Sequence, residues 1–354
     1  MKRWSVAQSR AWQADQPWRV GCNFLPSTAI NQLEMLQAGT FDAATIEREL
    51  GWAAELGFNA VRVYLHDLLW ATDPAGFLSR VDRFLAMAAA RGLKTLVTLF
   101  DDCHRPDPKP GPQPLPIPGA HNSGWMQSPG RRIVLQFHEG TVAAADRERL
   151  AEYLRGVLGR FGDDDRVWMW DLYNEPGQGG KGDASFELLH WTWRRARETP
   201  VRQPLTACLD GCVGERNRAL NAAASDVITF HAYNGAILEP TLRRRQAEAA
   251  GRPVVCTEYM ARELGTTFQF SLPLFRKYRV DCFNWGLVAG RSQTHFNWKT
   301  AEDIDERRAR GEVLQPGDPI PEPALWFHDI FRTDGSPFDP AEIEFIRRLL
   351  KHGG

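Results

Sequence analysis

The chain has 354 residues, which is enough for two average domains or for one large α/β barrel. Hydrophobic residues make up 43% and charged residues 25%, a composition that excludes general disorder. Because 43 Lys and Arg residues balance 44 acidic ones, the basic excess that nucleic-acid binding requires is missing, and no run approaches the roughly 18 apolar residues of a membrane span.

Apolar strand-like runs alternate with amphipathic stretches along the chain. The eight predicted strands are short and rich in Val, Thr and aromatic residues; in chain order they are residues 20–24, 60–65, 94–101, 167–174, 204–209, 227–233, 254–259 and 282–287. The clearest helices between them are predicted at residues 42–56, 77–91, 143–161 and 184–198. Strands that are apolar on both faces are typical of a parallel sheet covered by helices.

This alternation predicts one (β/α)8 TIM barrel, with residues 1–354 as a single domain and the barrel over about 18–350. An open doubly wound sheet is the alternative. That fold requires a glycine-rich turn after its first strand, whereas residues 25–35 read LPSTAINQLEM and contain no glycine. No shift in composition marks a domain boundary.

Two connections are too long to be simple turns. Residues 102–142 carry a proline at every second position from Pro106 to Pro118, which excludes a helix there and predicts an extended loop. Residues 289–323 are polar and contain four prolines. Both connections follow strand carboxyl ends, the face where barrels bind their ligands, so we expect them to wall a cleft rather than to be surface decoration.

The N-terminal segment has cations but no apolar run behind them, so we expect a cytoplasmic protein; a secreted chain whose signal has been removed is the alternative. The six cysteines form no CxxC pair and several fall in predicted strands, which favours free, buried thiols. Cys208 and Cys212 are close together but lack a histidine at a metal-ligand spacing. The oligomeric state is not indicated.

Two predicted strands end in a glutamate. Glu175 closes the fourth strand and is followed by a proline, and Glu258 closes the seventh. In a barrel the two carboxyl groups face each other across the mouth, and a buried acid without a partner or a task is costly. Paired carboxylates suit glycosidic-bond cleavage, because one donates a proton while the other carries negative charge.

The motifs around these glutamates resemble those of the clan A retaining glycoside hydrolases, most closely the cellulase- and mannanase-containing family 5. The motifs lie on strands two, four, six, seven and eight, and in order they are GFNAVRVYLHD, WDLYNEP, HAY, VVCTEY and FNWGLVAG. The resemblance implies a retaining β-glycoside hydrolase on a TIM barrel, a carbohydrate substrate, and neither a cofactor nor a metal.

The resemblance also assigns site residues. It makes Glu258 the nucleophile, Glu175 the acid/base and Asn174 a donor to the sugar 2-hydroxyl. Burial together with the charge of Glu258 should raise the pKa of Glu175, so that it keeps its proton until the leaving group needs it.

Four further residues are implied to support that chemistry. Arg62 and Tyr233 should hydrogen-bond to the nucleophile and keep it ionised, and His231 should support the same network. Trp285 should form an apolar floor under the sugar, although core packing is the alternative for this residue, as it is for His231.

The third strand departs from the family pattern. Relatives place a histidine near its end, and here the strand ends in Asp101 and Asp102 with His104 two residues further on. Either His104 takes that place after a shift, or the aspartates bind sugar hydroxyls. A cation site at the aspartates is the less favoured interpretation.

Three tryptophans, Trp70, Trp125 and Trp298, fall in predicted strand-end loops and are candidates for stacking on sugar rings, with core packing as the alternative. Polar residues after the first strand (Asn31, Gln32 and Glu34) either bind a distal sugar or cap the next helix.

Two other functions remain open. The same catalytic pair can pass the glycosyl group to a sugar, which makes the chain a transglycosylase, and a barrel can also retain its cleft as a non-catalytic carbohydrate-binding protein. The sugar and the linkage are not specified by the sequence. The expected cytoplasmic location favours small glycosides and exo-action.

Overall fold

The computed structural model describes residues 3–302, 304–312 and 320–351. Eight parallel strands form a nearly closed barrel in the order β5-β4-β3-β2-β1-β8-β7-β6. The strands are β1 (Val20–Asn23), β2 (Ala60–Tyr64), β3 (Lys94–Asp101), β4 (Val167–Asn174), β5 (Leu205–Thr206), β6 (Ile228–Ala232), β7 (Val254–Tyr259) and β8 (Asp281–Trp285). The (β/α)8 prediction is therefore confirmed.

The sheet closes between β5 and β6 through a few hydrogen bonds rather than through a regular ladder. The backbone N–H of Leu209 donates to the carbonyl of Thr229 at 2.9 Å, and the hydroxyl of Thr206 donates to the carbonyl of Val227 at 2.7 Å. The predicted fifth strand, 204–209, is thus reduced to two residues, because its second half bends away to make these contacts.

Helices surround the strands. They are α1 (Val6–Ala14), α2 (Gln32–Leu36), α3 (Ala43–Glu55), α4 (Asp67–Thr72), α5 (Pro74–Ala90), α6 (Arg131–Glu139), α7 (Ala144–Phe161), α8 (Phe186–Glu198), α9 (Glu215–Ala224), α10 (Leu238–Glu248), α11 (Phe268–Tyr278), α12 (Ile304–Ala309) and α13 (Pro340–Lys351). Among the described residues, no helix combines the length and the apolar character needed to cross a membrane.

The four predicted helices correspond to α3, α5, α7 and α8, with ends that differ by three residues or fewer. The prediction that residues 102–142 form one loop is wrong for its last part, since α6 lies within it. Ile133, Val134 and Phe137 fall on one face of α6 and are buried, a short helical period that the preceding prolines obscure.

The amino-terminal end of the barrel is plugged. A small apolar cluster that includes Ala60, Met169 and Phe283 fills it, and Trp12 of α1 packs on Trp168 with a ring-centroid distance of 5.4 Å. Because this end is filled, the carboxyl ends of the strands provide the open face.

Two loops cross that open face and are joined by hydrogen bonds. Residues 117–122 meet residues 292–300, and we call this contact the loop bridge. The side chain of Gln293 bonds to three backbone groups of the first segment, at 2.7, 2.8 and 3.4 Å. The backbone N–H of Asn122 donates to the carbonyl of Ser292 at 2.8 Å. The bridge therefore covers one side of the open face of the barrel.

Candidate active site

Glu258 lies near the end of β7 with three hydrogen-bond donors around its carboxylate. Arg62 and the hydroxyl of Tyr64 each donate to Oε1 at 2.7 Å, and the hydroxyl of Tyr233 donates to Oε2 at 2.8 Å. Hydrogen bonds and a positive charge stabilise the ionised form of a carboxyl group. The three donors therefore hold both oxygens of the Glu258 carboxyl group in place.

Arg62 organises this part of the site from beneath. Its side chain is fully buried, and Nη2 donates to Asp171 at 2.6 Å and to Oδ1 of Asn174 at 2.8 Å. Nη1 donates to Oδ1 of Asn23 at 2.8 Å as well as to Glu258. Burial lowers the pKa of Arg62, but its anionic neighbours outweigh burial and hold the pKa well above its usual range. One cation thus fixes residues from β1, β4 and β7.

Glu175 follows β4 directly and has a left-handed backbone, with φ of 44°. This turn brings the carboxyl group between two side chains. Nδ1 of His231 lies 2.7 Å from Oε1, and the thiol of Cys103 donates to Oε2 at 3.0 Å. The side chain is close to the backbone of Gly211, where a Cβ atom would lie 2.0 Å from Oε1. A larger residue than glycine cannot occupy that position without moving Glu175.

The two glutamates are close enough to act on the same bond. His231 lies between them, with Nδ1 also 3.4 Å from Oε2 of Glu258. An oxygen of Glu175 and an oxygen of Glu258 lie within 4.8 Å of each other. Retaining glycosidases separate their carboxyl groups by about 5–5.5 Å and inverting ones by about 6.5–9.5 Å. An approach of 4.8 Å or less between these oxygens is nearer to the retaining separation than to the inverting one.

The pKa expected for Glu175 is not the one that the structure gives. Burial raises the pKa of Glu175, but the hydrogen bond and charge of His231 outweigh burial, and the pKa lies below its usual value. Burial lowers the pKa of His231, whereas Glu258 and Glu175 raise it by more, so the net shift is upward. The expected increase in the pKa of Glu175 followed from burial and from the negative charge of Glu258, and it did not include the imidazole of His231. The contact between the two side chains therefore favours the carboxylate of Glu175 and the imidazolium of His231 together.

Glu175, His231 and Glu258 are also close enough together to hold a metal ion. Both oxygens of Glu258 already accept hydrogen bonds from protein donors, and one donor is the cationic Arg62. This donor set satisfies the carboxylate without a metal and repels a second cation, so it fits acid/base and nucleophilic chemistry better than metal binding.

A cavity of about 500 Å³ opens above the two glutamates, which is within the usual range for a small-ligand site. Strand ends and both long loops contribute to it. The lining residues include Asp101, His104, His121, Asn122, Trp125, Asn174, Glu175, Tyr233, Glu258, Trp285, Trp298 and Glu302.

Three tryptophans wall this cavity. The rings of Trp125 and Trp285 meet edge to face at 5.7 Å, and each also contacts the ring of Tyr64. Trp298 lies with its edge against Tyr233 and is 38% exposed, so its surface is free to contact a ligand. Trp285 and Trp298 therefore present apolar surface on which a sugar ring can pack, whereas Trp125 is only 3% exposed and is mostly packed against its neighbours.

The end of β3 contributes one aspartate and one histidine to the cavity. Oδ1 of Asp101 accepts a hydrogen bond from the amide of Asn174 at 2.9 Å, and Oδ2 accepts one from the indole of Trp125 at 2.5 Å. Burial raises the pKa of Asp101 to about 7 despite these bonds. Nε2 of His104 lies 3.3 Å from the amide of Asn122. Both side chains are placed to meet a sugar hydroxyl.

Two predicted site residues do not line the cavity. Asp102 is fully buried, where its carboxylate accepts a hydrogen bond from Ser185 and pairs with Lys181 at 3.3 Å, so it anchors the loop after β4. Trp70 packs against Gly156 of α7, where a Cβ atom would lie 2.1 Å from the indole ring. Neither side chain lines the cavity, and for Trp70 the contact supports the alternative of core packing.

The polar residues after β1 also have structural roles. Asn31 caps α2 by accepting a hydrogen bond from the backbone of Glu34, and its amide donates to the carbonyl of Gly124. The amide of Gln32 donates to the carbonyl of Met126. Of the two predicted roles, capping is the one that the contacts support.

Four residues of the site were missed by the sequence analysis: Asn23, Tyr64, Cys103 and Asp171. Tyr64 is two positions from Arg62, and residues two apart in a strand share a face, so this spacing was the available signal. Asp171 is likewise an acid inside an apolar strand. Cys103 gives no such signal because it lies in the irregular loop after β3.

Comparison with known proteins gives concordant results. The family Cellulase (glycosyl hydrolase family 5) matches residues 34–236. No curated protein matches the chain. Among solved structures, the exo-β-1,4-mannosidase Op5Man5 from Opitutaceae bacterium strain TAV5 is similar with a TM-score of 0.61 and 18% identity, over 95% of this chain and 60% of that one. The chain therefore spans about 60% of the length of that enzyme.

Two further structures have the same fold. GH5_18 from Streptomyces cattleya, in complex with Manβ1-4GlcNAc, has a TM-score of 0.57 and 16% identity over 94% of this chain and 81% of that one. The hyperthermostable endo-1,4-β-D-mannanase from Thermotoga petrophila RKU-1 has a TM-score of 0.55 and 14% identity over 95% and 99%. At these identities the likeness shows the fold.

Proposed function

Because the chain belongs to glycosyl hydrolase family 5, a family of retaining glycoside hydrolases, we propose that it cleaves β-glycosides by double displacement with Glu258 as nucleophile and Glu175 as acid/base. The observation that carries this assignment is the pair itself. The two carboxyl groups approach within 4.8 Å, and one of them accepts hydrogen bonds from Arg62, Tyr64 and Tyr233.

In the first step a carboxylate oxygen of Glu258 attacks the anomeric carbon, and the bond from that carbon to the leaving oxygen breaks. Glu175 gives a proton to the leaving oxygen, and the proton held at rest by His231 reaches it across their 2.7 Å hydrogen bond. The amide of Asn174 is fixed by Arg62 and Asp101 and lines the cavity, and its second N–H, which makes only a weak contact with the sulfur of Cys103, can donate to the sugar 2-hydroxyl.

The covalent ester neutralises Glu258, so repulsion on the neighbouring carboxylate falls. Glu175 then removes a proton from water, the water oxygen bonds to the anomeric carbon, and the ester bond to Glu258 breaks. The released sugar has the configuration of the substrate, because the anomeric centre is inverted twice.

The loop bridge favours exo-action. Glu175 marks the leaving-group side of the cavity, since it protonates the leaving oxygen. Trp285 ends β8, the strand that pairs with β7 and its nucleophile, and Trp285 lines a common cavity with Trp125 and with residues of both segments of the loop bridge. Residues 117–122 and 292–300 are joined over that common cavity by the bonds of Gln293. A roof there leaves space for a terminal sugar and blocks a continuing chain.

A β-mannoside is the substrate that we propose first. Op5Man5 is an exo-β-1,4-mannosidase, and GH5_18 from Streptomyces cattleya holds Manβ1-4GlcNAc, so two enzymes on this fold handle a terminal β-mannose. The proposed substrate class is thus small glycosides with a β-mannose at the non-reducing end.

The test is a panel of 4-nitrophenyl β-glycosides of mannose, glucose, galactose and xylose, with the anomer of the first product followed by proton NMR. We expect the mannoside to be preferred and the β-anomer to appear first. An α-anomer as the first product would overturn the mechanism, and a preference for another sugar would overturn the substrate.

A further inference from the structure

The carboxyl group of Glu175 is held from two opposite sides. Nδ1 of His231, on β6, lies 2.7 Å from Oε1, and the thiol of Cys103, just after β3, lies 3.0 Å from Oε2. With a single partner the group keeps freedom to rotate about its last bond. With one partner on each oxygen, the plane of the carboxyl group is fixed.

The thiol is a hydrogen-bond donor in this arrangement. Burial raises the pKa of Cys103 well above its usual value, and the neighbouring carboxylates raise it further, so the sulfur keeps its proton. A carboxylate oxygen accepts and cannot donate, which makes the S–H group the donor to Glu175. The sulfur also accepts a weak bond from the amide of Asn174 at 3.6 Å.

Cys103 therefore links the residue assigned to the sugar 2-hydroxyl with the residue assigned to the leaving group. Asn174 and Glu175 are adjacent in sequence, yet the left-handed turn at Glu175 points their side chains differently. The thiol is the side chain that bonds to both of them. It also lines the cavity, while the thiols of Cys208 and Cys212 do not.

We propose that Cys103 is a positioning residue for the catalytic acid, whose thiol orients the carboxyl group of Glu175 toward the leaving oxygen. The inference rests on the proposed function, because it assigns Cys103 a part only in the step where Glu175 donates a proton. It predicts that loss of the thiol impairs proton donation and leaves the nucleophilic attack by Glu258 intact.

The dependence of rate on the leaving group separates these two steps. The aryl group of a 2,4-dinitrophenyl β-mannoside leaves as a stable phenolate without protonation. The aryl group of a 4-methylphenyl β-mannoside must receive a proton from the catalytic acid as it leaves. The quantity to measure is the ratio of kcat/KM for the two substrates, because this ratio does not change if part of the preparation is unfolded. The variants are Cys103→Ala and Cys103→Ser, with Glu175→Ala as the reference for full loss of the acid.

Cys212→Ala is the matched control, since it removes a buried thiol at the same end of the barrel. In Cys103→Ala, we expect kcat/KM to fall about five- to tenfold for the 4-methylphenyl substrate and less than about twofold for the dinitrophenyl one. Cys103→Ser restores an O–H donor and should stay within about twofold of the wild-type ratio. Cys212→Ala should leave the ratio unchanged.

An equal loss on both substrates, or no loss on either, overturns the positioning role. A serine variant as impaired as the alanine variant overturns it too, because the donor is then not the relevant property. If the wild-type protein cleaves neither substrate while a β-glucoside pair is cleaved, the sugar is wrong and the same ratio is measured on glucosides. If no β-glycoside is cleaved, the proposed function fails and this inference fails with it.

Discussion

Nδ1 of His231 and Oε1 of Glu175 lie 2.7 Å apart and share a hydrogen bond. The pKa of His231 is raised, chiefly by Glu258 and Glu175 against the effect of burial, and the pKa of Glu175 is lowered by the same contact. The ionisation of the two residues is therefore coupled, and in the proposed mechanism the pair supplies the proton for the leaving group.

The decline of activity at alkaline pH should depend on the ionisation of His231 and Glu175. Below the raised pKa of His231 the pair carries its proton, and as pH rises through that pKa the proton is lost and Glu175 has nothing to donate. We expect kcat/KM for a 4-methylphenyl β-mannoside to decline only above the usual imidazole value of about 6.5. A pH profile of kcat/KM measures it, and a decline already complete at pH 6 contradicts it.

In His231→Asn, the decline of kcat/KM with rising pH should begin at a lower pH than in the wild type. The change removes the contact that lowers the pKa of Glu175, so Glu175 must hold its own proton and loses it at a lower pH than the pair does. At neutral pH the activity should fall about tenfold to a hundredfold. An alkaline limb that stays in place would show that the imidazole does not take part in proton storage.

Arg62→Met should be strongly destabilising. It leaves the buried carboxylate of Asp171 without its cation, and breaking a buried pair typically costs about 3–5 kcal/mol. Denaturant unfolding measures the loss. The double variant Arg62→Met with Asp171→Asn should recover part of it, because the uncompensated charge is then gone; a double variant less stable than the single one contradicts this account.

Trp298→Ala should weaken substrate binding without unfolding the protein. The side chain is partly exposed and lines the cavity, so we expect KM for a disaccharide to rise about tenfold, or ~1.4 kcal/mol, at unchanged stability. Trp70→Ala is the contrasting variant, since Trp70 packs against α7 and should lose stability by about 3 kcal/mol with KM unchanged. A raised KM in the Trp70 variant would reverse the two assignments.

Gln293→Ala tests the roof over the glycone side. It removes all three hydrogen bonds of this side chain to residues 117–122 and should loosen the loop bridge. On a reducing-end-labelled mannotetraose, the wild type should release mannose from the non-reducing end, and the variant should also give internal cleavage. Gln113→Ala, which breaks bonds to Asn31, Lys109 and Gly111 but none to residues 292–300, should keep the exo pattern. Internal cleavage by the wild type itself contradicts the exo proposal.

Much of this fold could be predicted from the sequence because strands and helices have their own apolar periods. Glu175 and Glu258 stood out because an acid at the end of an apolar run is unusual, and a barrel brings such ends together. The residues at strand ends therefore lie at the cavity as expected, and the predictions that differ from the structure concern residues in loops.

The position of a side chain in a loop depends on backbone turns and on contacts with residues far away in the sequence, and no local sequence pattern encodes either of them. Asp101 and Asp102 are adjacent and chemically identical, yet one lines the cavity and the other is buried under the loop after β4. Cys103 reaches Glu175 because the chain turns at His104, which has a φ of 63°. The direction of the pKa shift of Glu175 could not be predicted from the sequence, because it depends on how close His231 lies to the carboxyl group.

Trapping the covalent intermediate tests the central claim most directly. A 2-deoxy-2-fluoro β-mannosyl fluoride slows both steps but keeps a good leaving group, so the glycosyl-enzyme should accumulate, and digestion followed by tandem mass spectrometry locates the label. The account predicts one sugar per chain, attached to Glu258, and no label in Glu258→Ala. A label on any other residue, or turnover of the parent mannoside by Glu258→Ala at the wild-type rate, would contradict it.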